Sequence, residues 1–114
     1  MTIPSEHVEQ VNFVNWVEYN HPTIKLFAIP NGGKRSIKTA IDLKAEGVKR
    51  GVPDLFIPEL FLFIEMKKQK GGSASKEQKE WLSYLESVGY KCFVCKGAEE
   101  AKNAFTQSLT GLIS

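Results

Sequence analysis

The sequence predicts a mixed α/β fold in which helices flank a mixed sheet on both faces. Segments alternate as α-β-α-β-β-α-β-α along the chain. Residues 60–67 are apolar at odd and even positions alike, which marks a central strand covered on both sides. The 114 residues, 42% of them hydrophobic, suit one compact domain with a real core. No repeat, low-complexity tract or linker divides them, so 1–114 is expected to be a single domain.

The first helix is expected after Pro4, capped by Ser5, and runs to about Tyr19 before His21-Pro22 ends it. Residues 24–29 read as a strand, and Pro30-Asn31-Gly32-Gly33 as a turn. A second helix spans about 36–46, with Gly47 as its stop. Strands at about 52–57 and 60–67 follow, joined tightly near Pro58-Glu59. Ser75-Lys76-Glu77-Gln78 has the capping-box form and opens a third helix to about Ser87. A strand over 90–95 and a last helix over about 98–109 complete the chain.

Bulk properties exclude some classes. No apolar stretch approaches the roughly 20 residues that span a bilayer. Met1-Thr2-Ile3-Pro4-Ser5-Glu6 lacks the basic and apolar regions of a secretory signal, so an intracellular location is expected. The net charge of +2 says little about partners, but its distribution says more. Lys34, Arg35, Lys38, Lys44, Lys49 and Arg50 precede the acidic pair discussed next, and Lys67, Lys68 and Lys70 follow it. Positive charge that brackets carboxylates suits a phosphate backbone, although solvated lysines alone are commonplace. Cys92 and Cys95 stand three apart on a strand, pointing to opposite faces, and read as structural thiols rather than a zinc or redox pair. His7 and His21 have no matched ligand spacing. Gly32-Gly33-Lys34-Arg35-Ser36 lacks the spacing of a phosphate loop, which argues against a nucleotide cofactor.

The chemistry concentrates where the apolar run ends, at Glu65-Met66-Lys67. Unpaired buried charge is costly, so such groups are paired or hold a metal. Glu65 and Lys67 are two apart on a strand and share a face. A hairpin turning near Glu59-Leu60 puts Asp54 opposite Glu65, with Cβ atoms about 4.5–5.5 Å apart. Two carboxylates that close call for a cation, and an oxygen-rich pair with open positions suits Mg²⁺ or Mn²⁺. Lys67 beside it could hold an attacking water or stabilise charge on a phosphate. On the first helix, Glu6, Gln10, Phe13, Val14 and Val17 share one stripe, with Glu9 nearer its edge. Glu6 is therefore preferred as the carboxylate that reaches the site, against the plainer role of favouring the helix dipole.

These residues form the Pro-Asp…Glu-x-Lys signature, and the chain resembles a stand-alone VRR-NUC (virus-type replication-repair nuclease) domain. That family is a branch of the PD-(D/E)xK, restriction-endonuclease-like superfamily. The similar segments are Ile29-Pro30-Asn31-Gly32-Gly33, Leu43-Lys44-Ala45-Glu46-Gly47-Val48, Gly51-Val52-Pro53-Asp54-Leu55, Phe63-Ile64-Glu65-Met66-Lys67, and Gln78 before Trp81-Leu82. Glu6 and Gln10 match the family's first-helix Glu-x-x-x-Gln. The resemblance implies divalent-metal phosphodiester hydrolysis on DNA, with Asp54, Glu65 and the Met66 carbonyl as metal ligands. It implies Lys67 as the catalytic lysine, and Glu6 and Gln78 as supporting groups. Gln78 also belongs to the capping box, and the two roles could compete. Lys34, Arg35, Lys49, Arg50, Lys68 and Lys70 are the candidate DNA contacts. Stand-alone members resemble small Holliday-junction resolvases, which implies a homodimer acting on branched DNA, with Phe13, Trp16 and Trp81 as candidate interface residues. A phage- or prophage-encoded repair nuclease fits that picture. The rivals are a nickase or restriction-type nuclease for ordinary duplex, and a catalytically silent DNA-binding module.

Overall fold

The computed structural model describes residues 2–30 and 36–113. The expected turn at Asn31-Gly32-Gly33, together with Lys34 and Arg35, lies outside them. The elements are α1 (Glu6–Asn20), β1 (Phe27–Ala28), α2 (Ile37–Ala45), β2 (Leu55–Ile57), β3 (Leu62–Lys67), α3 (Lys76–Ser87), β4 (Lys91–Lys96) and α4 (Ala98–Ile113). A short 3₁₀ turn, Pro58–Leu60, joins β2 to β3. The four strands form one mixed sheet in the order β1-β2-β3-β4. The first two pairings are antiparallel and β3–β4 is parallel.

The β2–β3 register pairs Leu55 with Ile64 and Phe56 with Phe63, the one that sets Asp54 beside Glu65. Alternation along β3 then divides the molecule. Leu62, Ile64 and Met66 are fully buried against Phe13 and Val17 of α1 and Ala101 and Phe105 of α4. Phe63, Glu65 and Lys67 face the other way, where α3 packs with Leu82 and Leu85 buried. Helices thus lie on both faces, but α2 belongs to neither layer, because none of its residues is buried.

Two strands are shorter than the sequence suggests. Ile24 is already buried and its N–H bonds to the His21 carbonyl at 3.0 Å, so the chain turns before it extends. Only Phe27 and Ala28 pair with β2, and one further bond follows, from Ile29 N–H to the Asp54 carbonyl at 2.7 Å. β2 itself starts at Leu55, two residues after Pro53, which has no N–H to give a ladder. The last helix continues to Ile113, past the expected end.

The structural reading of the cysteines agrees with their surroundings. Cys95 is in the core and Cys92 half-buried on the opposite face, and both are free thiols. Burial pushes them up to about 12 and about 11, so neither is a thiolate near neutrality. Phe13 is fully buried, and Trp16 packs on the core against Phe105, with ring centroids 5.7 Å apart. Phe13 therefore offers no interface surface, whereas Trp16 is half-buried.

Candidate active site

The carboxylates meet where β3 ends. Asp54 Oδ2 accepts the Met66 N–H at 2.7 Å, a side-chain bond that extends the hairpin by one step past Leu55. Glu65 is 2% exposed. Its Oε2 accepts from Gln78 Nε2 at 2.9 Å and lies 3.5 Å from Lys67 Nζ. Its Oε1 is buried and has no hydrogen-bond partner. The neighbouring polar group is Asp54, another carboxylate, within hydrogen-bonding reach. Such a pair is stable only with a shared proton or a cation between its members.

The electrostatics follow from that crowding. Burial, then the Asp54 charge, push Glu65 up to about 8, and the Lys67 ammonium opposes the rise. Burial likewise raises Asp54, against the lowering effect of the Met66 N–H. Glu6 sits on the first turn of α1, beyond the sheet's covered core, and is exposed. Its pKa is raised, first by partial burial, with Lys67 lowering it and Asp54 raising it. Gln10 is half-buried.

Gln78 resolves the expected competition between cap and site. Its Oε1 accepts the Ser75 N–H at 2.8 Å, and its backbone N–H donates to Ser75 Oγ at 3.2 Å. The amide nitrogen is then aimed at Glu65. One amide has an acceptor end and a donor end, so the capping box fixes the orientation that the site uses. Gly51 makes this approach possible: a Cβ there would stand 2.9 Å from the Gln78 nitrogen and 2.7 Å from the Glu77 carbonyl carbon.

The helix stripe needs one correction. Glu9, placed by periodicity nearer the edge, is 4% exposed, whereas Glu6 is exposed. Periodicity finds the face of α1 that meets the sheet, but α4 also packs on α1 and covers the flank that carries Glu9. The carboxylate is tolerated there because it accepts from Gln69 Nε2 at 2.8 Å and from the Ala98 N–H at 3.2 Å. Sequence reasoning set Glu9 at the edge of the stripe and gave no role to Gln69 or Gly97. The legible signal was Gly97 itself, between a strand and a helix.

Among the basic candidates, Lys68 and Lys70 are exposed just past β3, and Lys68 helps to lower Glu6. Arg50 is exposed and lines a surface cavity with Glu77, Glu80, Trp81 and Tyr84. Lys49 is exposed, before the Asp54 loop. Lys34 and Arg35 lie outside the described residues. Among those residues, no three His, Cys, Asp or Glu side chains stand close enough together to hold a metal ion. A metal here would therefore rest on two carboxylates and backbone oxygen. The orphaned, buried Glu65 Oε1 beside Asp54 is the donor set a hard divalent cation fits.

A mixed sheet carrying an Asp-Glu-Lys set at a strand end defines a restriction-endonuclease-like protein. The VRR-NUC domain family matches residues 1–99, and the chain belongs to that family, which gives it a nuclease-type function with DNA as substrate. A solved structure described as a VRR_NUC domain protein is 25% identical, with a TM-score of 0.80 over 96% of this chain and 91% of that one. No curated protein matches the chain. No helix among the described residues is long and apolar enough to cross a membrane.

Proposed function

We propose that residues 1–114 form one nuclease domain that cleaves DNA endonucleolytically with Mg²⁺ or Mn²⁺, acts as a homodimer and prefers branched DNA such as four-way junctions. The observation that carries the metal reading is Glu65 Oε1, a buried oxygen without a donor beside a second carboxylate. Asp54, Glu65 and the Met66 carbonyl would hold the ion. When bound, it would neutralise phosphate charge and lower the pKa of water.

The chain's own groups do the rest. Gln78 and Lys67 both engage Glu65 Oε2, which leaves Oε1 buried and free for a ligand, on a side chain that interacts with Asp54. Met66 N–H occupies Asp54 Oδ2, so the other oxygen of Asp54 is the one left for a ligand. Lys67, whose Nζ lies 3.5 Å from Glu65, would stabilise negative charge developing on a phosphate held at the pair. Glu6, on the first turn of α1, would orient a water. Lys49, Arg50, Lys68 and Lys70, with Lys34 and Arg35, would take the flanking backbone. Two copies would supply two sites for the two strands that a junction requires to be cut.

The test is a gel assay of four-way junction, flap and linear duplex, each with Mg²⁺, Mn²⁺ or chelator, run beside Asp54→Ala and sedimentation of the wild type. Metal-dependent cutting, fastest on the junction, by a species of twice the chain mass is expected. Cutting in chelator, or by Asp54→Ala at the wild-type rate, rejects the metal site. A monomer that prefers linear duplex rejects the junction assignment alone, and binding without cutting favours a silent module.

A further inference from the structure

Glu9 is a buried carboxylate for which the proposed chemistry has no use, and it lies one helical turn beyond Glu6 on α1. Its two oxygens are divided. Oε1 accepts from the Ala98 N–H at 3.2 Å, the first residue of α4, and Oε2 accepts from Gln69 Nε2 at 2.8 Å. Between them lies Gly97, at φ +94°, whose N–H donates to the Lys67 carbonyl at 2.8 Å. A Cβ on Gly97 would stand 2.9 Å from Glu9 Oε2 and 3.0 Å from Gln69 Cγ, so only glycine fits the junction.

The chain leaving β3 is thus tied twice to one point. The Lys67 carbonyl is fixed by Gly97, and Gln69, two residues on, by Glu9. We infer that Glu9 is a positioning residue for Lys67: with Gln69 and Gly97 it clamps the strand exit and sets the angle at which Lys67 meets Glu65. Because Glu6 and Glu9 share the first turns of α1, the same clamp fixes the rotation that turns Glu6 toward the cluster. The inference rests on the proposed nuclease reaction, in which Lys67 acts on the phosphate.

The experiment exchanges the two partners. Glu9→Leu removes both bonds, and Gln69→Glu sets two carboxylates against each other. In Glu9→Gln/Gln69→Glu the new amide still accepts from Ala98 and now donates to residue 69, so both bonds return with the charge moved across. Each full-length protein is assayed for kcat and KM on a junction with Mg²⁺, for Tm in chelator, and for hydrogen exchange at Gly97 and Ala98. Glu9→Leu and Gln69→Glu should lower kcat on the order of 10- to 100-fold, the size of effect a displacement of about 1 Å produces. For Glu9→Leu KM should stay within about twofold, whereas Gln69→Glu, between Lys68 and Lys70, also adds a charge beside the proposed DNA contacts, so its kcat is the quantity compared. The exchange variant should recover kcat to within about threefold and restore protection at Gly97 and Ala98. Should Glu9→Leu fail to fold, Gln69→Glu and its rescue carry the same comparison. A fall in Tm with kcat unchanged overturns the inference and leaves Glu9 as an anchor of α4. Failure of the exchange variant to restore kcat also overturns it. A wild type that does not cut DNA removes the nuclease reading instead, and hydrogen exchange still reports whether the clamp exists.

Discussion

Glu65→Gln should make the metal-free protein more stable while abolishing its activity. Glu65 is raised from 4.5 to about 8 by burial and by Asp54. Between those values the folded state holds a proton that the unfolded chain has lost, so stability falls as pH rises. The contribution is fully present below about 4.5 and lost as pH passes through about 8. At about 1.36 kcal/mol per pH unit the rise has an upper limit of about 5 kcal/mol. Asp54 shares the effect and water reaches the outer edge of the pair, so about 1–3 kcal/mol is the expected gain at pH 8. For a chain of this length that is roughly 3–10 °C in Tm. The amide fits without new strain: its oxygen takes the Gln78 and Lys67 donors, and its nitrogen donates to Asp54, where the shared proton stood.

The assay is thermal unfolding of wild type and Glu65→Gln from pH 5 to 8 in chelator, repeated with millimolar Mg²⁺. The variant's advantage should grow with pH in chelator and shrink or reverse with metal, which stabilises only the wild type. A wild type more stable than the variant at pH 8 without metal, or a difference independent of pH, refutes the strained carboxylate pair and the metal argument built on it.

Other consequences follow from the same geometry. Lys67→Ala should lower cleavage by about 10²–10³-fold, the usual loss of one preorganised donor; Lys68→Ala should be mild, and equal losses in kcat would reduce both to a generic basic patch. Gly51→Ala must adopt a left-handed conformation and press on the first turn of α3, at a cost of about 2–4 kcal/mol; a Tm within 2 °C of wild type would contradict that packing. Gln78→Glu keeps the cap acceptor but turns a further carboxylate oxygen toward Glu65, adding charge that a cation offsets, so half-maximal cleavage should require a lower Mg²⁺ concentration, which a metal titration reads directly. Glu6→Gln should cost activity with little change in Tm, and a loss of Tm as large as that of Glu9→Leu would place Glu6 in the packing instead.

The legible parts of the sequence were those governed by local rules. The hairpin register followed from Pro58-Glu59 between two apolar runs, and it alone brings Asp54 to Glu65. Ser75 and Gln78 announced α3 by their spacing, and the helix starts where they require. The strand near Ile24 was less legible, because burial of Ile24 is satisfied by a turn as well as by a strand. Glu9 was illegible for another reason. A helical stripe reports one neighbour, the sheet, whereas α1 has two, and the partners that make a buried carboxylate tolerable lie 60 and 89 residues away.

That contrast explains why the candidate site gathers at element ends. Helix starts and strand exits leave backbone N–H groups without a ladder partner. Here Met66, Ser75 and Ala98 supply such donors to Asp54, Gln78 and Glu9. Each bond spends one oxygen of a side chain and leaves the other pointing in a fixed direction. For Gln78 the remaining end is a donor that meets Glu65, and for Glu9 it is an acceptor that meets Gln69. Glu65 is the exception, because both its bonds go to one oxygen and the other is left buried and bare. An oxygen in that condition costs about 1–3 kcal/mol. The fold carries that cost at one atom of the cluster, the atom that a divalent cation between Asp54 and Glu65 would relieve.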